Sequence, residues 1–189
     1  VLLAGIAVSA FGAAAMSIII SMSDLAGTRS VSFWTTGSFS LSNWSGVNSM
    51  WPAIAIGLIL AFFLAPSLDL LALGDEGAYA SGVAVSRVRA LALLAAVLLT
   101  AAGVAVVGVI AFVGLVVPHA VRLVIGPSHR QLLVVSAVGG AVVLLLADTI
   151  ARLALNPIEI PVGSVTAILG APVFFVLLRR ARNRQGGWA

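Results

Sequence analysis

The sequence predicts an all-α protein, a polytopic bundle of membrane-spanning helices with short helices at the membrane surfaces. Of its 189 residues, 61% are hydrophobic and only 8% are charged, and the mean hydropathy is +1.20. Soluble domains carry a charge on about a quarter of their residues. Stretches without any charge run over residues 1–23, 30–68, 90–121, 131–147 and 160–178. Each can supply a helix of about 17–25 residues, the length that crosses a bilayer.

The first predicted helix, residues 1–22, carries a ridge of small side chains at every fourth position. Such a ridge allows neighbouring helices to approach closely. Alternatively, its serines face a water-filled translocation pathway, where hydroxyl groups are well solvated. The pathway residues would then be Ser9, Ser17 and Ser21.

Residues 24–50 are rich in Ser, Thr, Asn and Gly and contain well-spaced tryptophans, a composition typical of the membrane interface. We expect a short helix in the membrane plane at residues 31–39. The chain then crosses back over residues 52–68, with Pro52 in the first turn of the helix, where proline is tolerated.

Four further crossings are predicted, which makes six in total. They cover residues 88–107, 109–125, 131–153 and 163–178. The second of these is short, and the sequence GPSHR at 126–130 turns the chain after it. The last crossing is followed by an arginine-rich tail, residues 179–189.

Residues 68–87 form a loop that is too polar for lipid yet retains apolar side chains. The stretch holds Asp69, Asp75 and Glu76, three of the six acidic residues. Two short amphipathic helices hinged near residues 74–77 fit this pattern. Such a loop suggests mechanical coupling to a partner; a solvated connector is the alternative.

The arginines orient the bundle, because positive charge accumulates on the cytoplasmic side of membrane proteins. With six crossings, only Arg29 and Arg152 lie on one side of the membrane. The other eight lie on the opposite side, which is therefore cytoplasmic and includes the loop and the C-terminus: Arg87, Arg89, Arg122, Arg130, Arg179, Arg180, Arg182 and Arg184.

Composition also limits the chemistry. The chain has no cysteine and two histidines, so we expect no metal site, no cofactor and no nucleic-acid partner. His119 and Arg122 lie one helical turn apart, and Asp148 lies near a helix end; packing roles are favoured for all three. A catalytic site would need a positioned base and a group that orients it. We therefore do not expect an enzyme.

Three stretches carry a resemblance to a known family: LDLLALGDEGAYASGV at 68–83, VIAFVGLVVPHAVRLVIGPSHR at 109–130, and LLLADTIARLALNPIEIPVGSVTAILGAPVFFVLLRR at 144–180. They resemble the FecCD-type permeases of type II ABC importers, which carry ferric siderophores, haem or vitamin B12. The resemblance implies one transmembrane permease domain over residues 1–189. It also implies ten helices in the complete protein, of which this chain would hold the last six.

The resemblance further implies partners: two ABC ATPase subunits, a second permease subunit in a homodimer or heterodimer, a substrate-binding protein and membrane lipid. ATP would be hydrolysed by the separate ATPase, and the sequence has no GxxxxGK[ST] motif. The family's loop before the seventh helix docks on the ATPase. Here the matching residues are Leu70, Leu71, Leu73, Gly74, Asp75, Glu76, Gly77 and Gly82.

On the outer face, the family's arginines form salt bridges with the binding protein. Arg152 matches such a position, although it could instead pair with Asp148 one helical turn away. Glu159 either caps the following turn or contacts the binding protein.

The alternative function is a secondary transporter or channel, which should hold ionisable residues near the middle of the membrane. An intramembrane enzyme is a third reading, but no catalytic group is visible in the crossings.

Overall fold

The computed structural model describes residues 2–22, 31, 34–40, 42–154 and 160–184, and within them all regular structure is helical. Seven helices of six or more residues are present in that part of the chain. They are α1 (Leu2–Ser21), α2 (Trp44–Leu71), α3 (Asp75–Ala80), α4 (Val85–Val107), α5 (Val113–Ile125), α6 (His129–Leu153) and α7 (Val162–Arg184).

The predicted all-α membrane bundle is confirmed, and six of these helices overlap the six predicted crossings. Among the described residues, α2, α4 and α6 are long and apolar enough to cross a membrane. The apolar parts of α1, α5 and α7 are shorter. At about 1.5 Å per residue, the 13 residues of α5 extend about 20 Å, less than the roughly 30 Å of a hydrocarbon core.

The start of α2 differs from the prediction. The helix begins at Trp44, so Pro52 lies two turns inside it rather than in its first turn. Asn43 explains the earlier start, because its side chain accepts a hydrogen bond from the Gly46 backbone N–H at 2.8 Å. This is an N-cap, which satisfies one of the free N–H groups at a helix start. In the preceding segment, residues 31 and 34–36 are helical, within the predicted short helix.

Two close packings organise the bundle. The helices α2 and α4 approach at Gly57, where an added Cβ would lie 2.8 Å from Leu99 Cγ. The second packing joins α6 to α7 through a small core of Ala147, Ala151, Val162 and Val165. Phe39 packs against this core from the segment before α2. By contrast, most α1 side chains from residue 5 onwards are exposed.

One end of the bundle is held by a feature that we call the glycine junction. It consists of residues 34–39, residues 107–112 between α4 and α5, and the first residues of α7. Three backbone hydrogen bonds connect them: Val109 N–H to the Trp34 oxygen at 3.0 Å, Ser38 N–H to the Val107 oxygen at 2.9 Å, and Gly163 N–H to the Gly37 oxygen at 3.0 Å.

Glycines permit these contacts because the backbones lie too close for a side chain. A Cβ at Gly37 would overlap the Val109 oxygen, one at Gly108 would overlap the Trp34 oxygen, and one at Gly163 would overlap the Thr36 oxygen. Backbone groups that water does not reach need internal partners. The junction supplies one to the Val109 N–H, in the non-helical connection, and one to the oxygen of Val107, the last residue of α4.

Candidate functional site

The loop between α2 and α4, residues 72–84, contains one short helix rather than the two that were predicted. The end of α2 extends to Leu71, so Leu70 and Leu71 belong to the long helix and are half-buried. The only helix within the loop is α3, Asp75–Ala80. The predicted loop boundaries, 68–87, therefore include the last turn of α2 and the first turn of α4.

The chain reverses direction at residues 72–74, not at 74–77 as predicted. Gly74 has a φ of 108°, a conformation that residues with side chains rarely adopt. Asp75 and Glu76 follow in the first turn of α3, where the positive end of the helix dipole favours acidic side chains. Gly77 lies inside this helix. Arg89 of α4 donates to Asp75 Oδ1 at 2.5 Å, which ties the start of α3 to the first turn of α4.

A second glycine ends the short helix. Gly82 has a φ of 80°, and its N–H donates to the Tyr79 oxygen at 2.9 Å. The N–H of Val83 donates to the Ala78 oxygen at 3.0 Å. This pair of bonds is a Schellman motif, the common way in which a glycine terminates a helix. Gly82, predicted as a coupling residue, therefore shapes the loop.

The loop presents apolar side chains away from the rest of the chain. Leu73 and Tyr79 are each 78% exposed, whereas Ala78 is fully buried beneath α3. Beside Tyr79, an open depression of about 750 Å³ is bordered by Arg87 and Arg89 at the start of α4. Exposed apolar side chains on a polar surface commonly mark a binding site for another protein.

A polar contact next to the loop was not predicted. Asp69, in the last turn of α2, accepts at Oδ1 from the His129 backbone N–H at 2.8 Å and from His129 Nδ1 at 2.6 Å. Arg122 Nη2, in the last turn of α5, lies 3.4 Å from His129 Nε2. With a proton on Nδ1 directed at Asp69, the His129 Nε2 accepts from Arg122. We call this set the Asp69 cluster.

The need of Asp69 for a partner becomes clear only once α2 is seen to end at Leu71. An acidic side chain in the last turn of a helix faces the negative end of that helix's dipole, so Asp69 needed a partner elsewhere. Arg130, the residue after His129, also has a specific contact. Its guanidinium carbon lies 4.5 Å from the centre of the Phe62 ring. Four arginines thus lie at one end of the bundle: Arg87, Arg89, Arg122 and Arg130.

At the opposite end, Arg152 Nε donates to Asp148 Oδ2 at 2.8 Å, across one turn of α6. The Arg152 side chain remains about half exposed, at 53%. The pairing that was the alternative to a docking role is therefore present in this chain. Glu159 lies outside the described residues.

The serine ridge of α1 is exposed in this chain. Ser9, Ser17 and Ser21 are all exposed, and Ser21 Oγ donates to the Ile18 oxygen at 2.8 Å. Other side chains of the helix are exposed as well, Ile6 and Ile18 among them. A pathway role for the serines therefore stays a prediction.

Comparison with known proteins places these features in a family. The model of the FecCD transport family matches residues 1–180. The chain is 44% identical to the hemin transport system permease protein HmuU of Yersinia pestis, over 98% of this chain and 56% of that protein. It is 43% identical to the iron(3+)-hydroxamate import system permease protein FhuB of Bacillus subtilis, over 96% of this chain and 47% of that protein.

A solved structure of a metal-chelate type ABC transporter in an inward-facing conformation has the same fold. It superimposes with a TM-score of 0.84 at 35% identity, and the match covers 94% of this chain and 58% of that one. The chain thus spans about half the length of the curated relatives that it matches.

Proposed function

This chain belongs to the FecCD transport family, and we propose that it is part of the permease subunit of an ABC importer. In this proposal the subunit pairs with a second permease subunit, and two ATPase subunits supply the energy. The cargo is a ferric siderophore, haem or a corrinoid, and a substrate-binding protein delivers it. The permease itself catalyses no reaction.

The observation that carries the proposal is the 72–84 loop. Its exposed Leu73 and Tyr79 stand at the arginine-rich end of the bundle, outside the apolar parts of the helices. Hydrophobic side chains at this position gain little from lipid, and they suit a groove on a soluble partner. We therefore assign the loop to the ATPase contact and the arginine-rich end to the cytoplasm, with the C-terminus on the same side.

The names of the relatives support this cargo class. HmuU is named for hemin and FhuB for iron hydroxamate, and both cargoes are large metal chelates. The membrane-facing helices of this chain are apolar, and acidic residues in its described part lie at helix ends or in the loop: Asp69, Asp75, Glu76 and Asp148. A site for a bare cation in the middle of the membrane would need such groups there.

The test is reconstitution of the full-length subunit in vesicles with its ATPase and its binding protein. Labelled haemin, a ferric hydroxamate and cobalamin are each presented to the binding-protein side. We expect ATP-dependent uptake of at least one chelate and no uptake when the binding protein is omitted. Uptake that continues without the ATPase would contradict the proposal and favour a secondary transporter or channel.

Arg152 provides a separate prediction about the outer face. We propose that its exposed guanidinium contacts an acidic lobe of the binding protein, so Arg152→Glu should weaken docking several-fold. The loss should shrink at high salt, because exposed charges are screened beyond about 8 Å at physiological ionic strength. Affinity of the binding protein for the assembled complex, measured at low and high salt, checks this.

The control for Arg152 is Asp148→Asn, which removes the Asp148 carboxylate and keeps the arginine. It should leave docking intact, because the guanidinium that contacts the binding protein in our proposal is unchanged. A compensating acidic-to-basic change on the binding protein should recover part of the affinity lost in Arg152→Glu. Equal affinity of the wild type and Arg152→Glu at low salt would limit Arg152 to pairing with Asp148.

A further inference from the structure

We propose that the Asp69 cluster is the joint through which movement of the 72–84 loop reaches the α5–α6 pair. The inference rests on the proposed function, because it assumes that ATPase subunits move this loop. It assigns Asp69 and His129 as positioning residues for transport. Neither residue is in the loop that contacts the ATPase in our proposal.

The cluster lies where the loop leaves the membrane bundle. Asp69 is in the last turn of α2, three residues before the loop begins, and His129 is the first residue of α6. The side chain of Ser128, which occupies the N-cap position of α6, makes no capping hydrogen bond. Asp69 thus caps α6 from another helix, by accepting from the His129 backbone N–H at 2.8 Å.

The helix dipoles explain why this contact is firm. The carboxylate of Asp69 sits at the negative end of α2, which is unfavourable, and at the positive end of α6, which is favourable. The second hydrogen bond, from His129 Nδ1 at 2.6 Å, reinforces the first. A hydrogen bond to a charged acceptor is stronger than one between neutral groups. Pulling the end of α2 away from α6 would break both.

The other end of the loop is held less firmly. The Arg89–Asp75 pair ties α3 to α4, but its side chains are 57% and 59% exposed, and exposed ion pairs contribute little. In the Asp69 cluster the His129 side chain is 21% exposed and that of Asp69 is 40% exposed. Arg122 extends the cluster to the last turn of α5. A shift of the loop is therefore transmitted preferentially to α6 and α5.

The experiment measures how many ATP molecules are hydrolysed per chelate imported by the reconstituted complex. Asp69→Ala removes both hydrogen bonds and should raise this ratio at least ~5-fold, the low end of the range for coupling between protein sites. Gln131→Ala is the matched control, because Gln131 is an exposed residue in the same first turn of α6. An unchanged ratio in Asp69→Ala would overturn the inference.

A second variant keeps the inference testable if Asp69→Ala fails to assemble. This chain has no cysteine, so Asp69→Cys with His129→Cys introduces a thiol pair that oxidation or a short bifunctional thiol reagent can join. The cross-linked complex should regain a ratio near that of the wild type, and the reduced complex should lose it. Equal ratios in both states, or failure of the two thiols to cross-link, would overturn the inference.

The proposed function and the role of the Asp69 cluster can be disproved separately. If the wild-type complex shows no ATP-driven uptake, the proposed function is wrong. If the wild type imports a chelate while the joined and separated forms of the thiol pair couple equally well, only the joint is wrong.

Discussion

Replacing Leu73 with Ser and Gly74 with Val should almost abolish chelate uptake by the reconstituted transporter while its ATPases continue to hydrolyse ATP. Leu73 is the one leucine of the 72–84 loop and is 78% exposed, and burying such a side chain in a partner's groove contributes about 1.5–3 kcal/mol. Valine at position 74 adds strain, because its branched side chain is poorly compatible with the φ of 108° at this residue. The loop would then change its direction as well as lose its contact.

The measurement is uptake and ATP hydrolysis in the same vesicles, with the amount of ATPase bound to the permease determined by pull-down. Leu93→Ala is the control, since Leu93 is a comparably exposed leucine, at 68%, on α4 and outside the loop. The control should retain uptake. A Leu73→Ser, Gly74→Val complex with wild-type uptake and unchanged stimulation of the ATPase would refute the coupling role of the loop.

Gly163→Ala should lower the stability of the folded protein markedly, although the change adds only one methyl group. That methyl would overlap the Thr36 carbonyl oxygen and lie 2.9 Å from the Val109 oxygen. Both obstacles are backbone atoms, so relief requires two segments of the glycine junction to separate. Overpacking of this kind costs about 1–3 kcal/mol, and loss of the Gly163 to Gly37 hydrogen bond adds to it.

Gly103→Ala is the matched control because the same change occurs inside a helix with no atom within 4 Å of the new methyl group. Alanine is favoured over glycine in a helix by about 1 kcal/mol, so this variant should be as stable as the wild type or more stable. Thermal unfolding of the purified full-length protein in one detergent compares the two. Similar melting temperatures for both variants would show that the junction contributes little.

The sequence was sufficient for the helices whose length is set by the bilayer. The crossings expected at residues 88–107 and 131–153 end at the residues where α4 and α6 end, because long apolar runs between charged groups have one stable arrangement in lipid. It was less reliable at helix starts. Pro52 suggested the start of the helix, but α2 begins eight residues earlier, at Trp44, after the Asn43 cap.

The loop shows a different limit. Nothing in LDLL separates the end of a membrane helix from the start of a short amphipathic one, since both are apolar and helical. The structure shows that the long helix extends to Leu71. Asp75, Glu76 and Gly77 lie in the short helix α3, while Gly74 and Gly82, both at positive φ, make the turns on either side of it.

Contacts between distant residues were beyond the sequence reasoning. The pairing of Arg152 with Asp148 could be foreseen because it follows from helical spacing, and it is present. Asp69 and His129 lie in different helices, and their contact depends on how α2, α5 and α6 come together. The docking roles of Arg152 and Glu159, and the pathway role of the α1 serines, remain predictions about surfaces that other chains would cover.

The glycine junction has a consequence for the order in which the protein is made. Its hydrogen bonds join the segment before α2 to the start of α7, so it cannot close until the ribosome has delivered nearly the whole of the described chain. Until then the Gly37 oxygen lacks its partner, although Val107 and Val109 can already bond to Ser38 and Trp34, and α4 and α5 enter the membrane beside an unfinished junction. We expect nascent chains that stop before α7 to be recognised by membrane quality control and degraded, whereas chains that include Gly163 escape. Closure of the junction would thus mark the moment at which insertion of the bundle becomes irreversible.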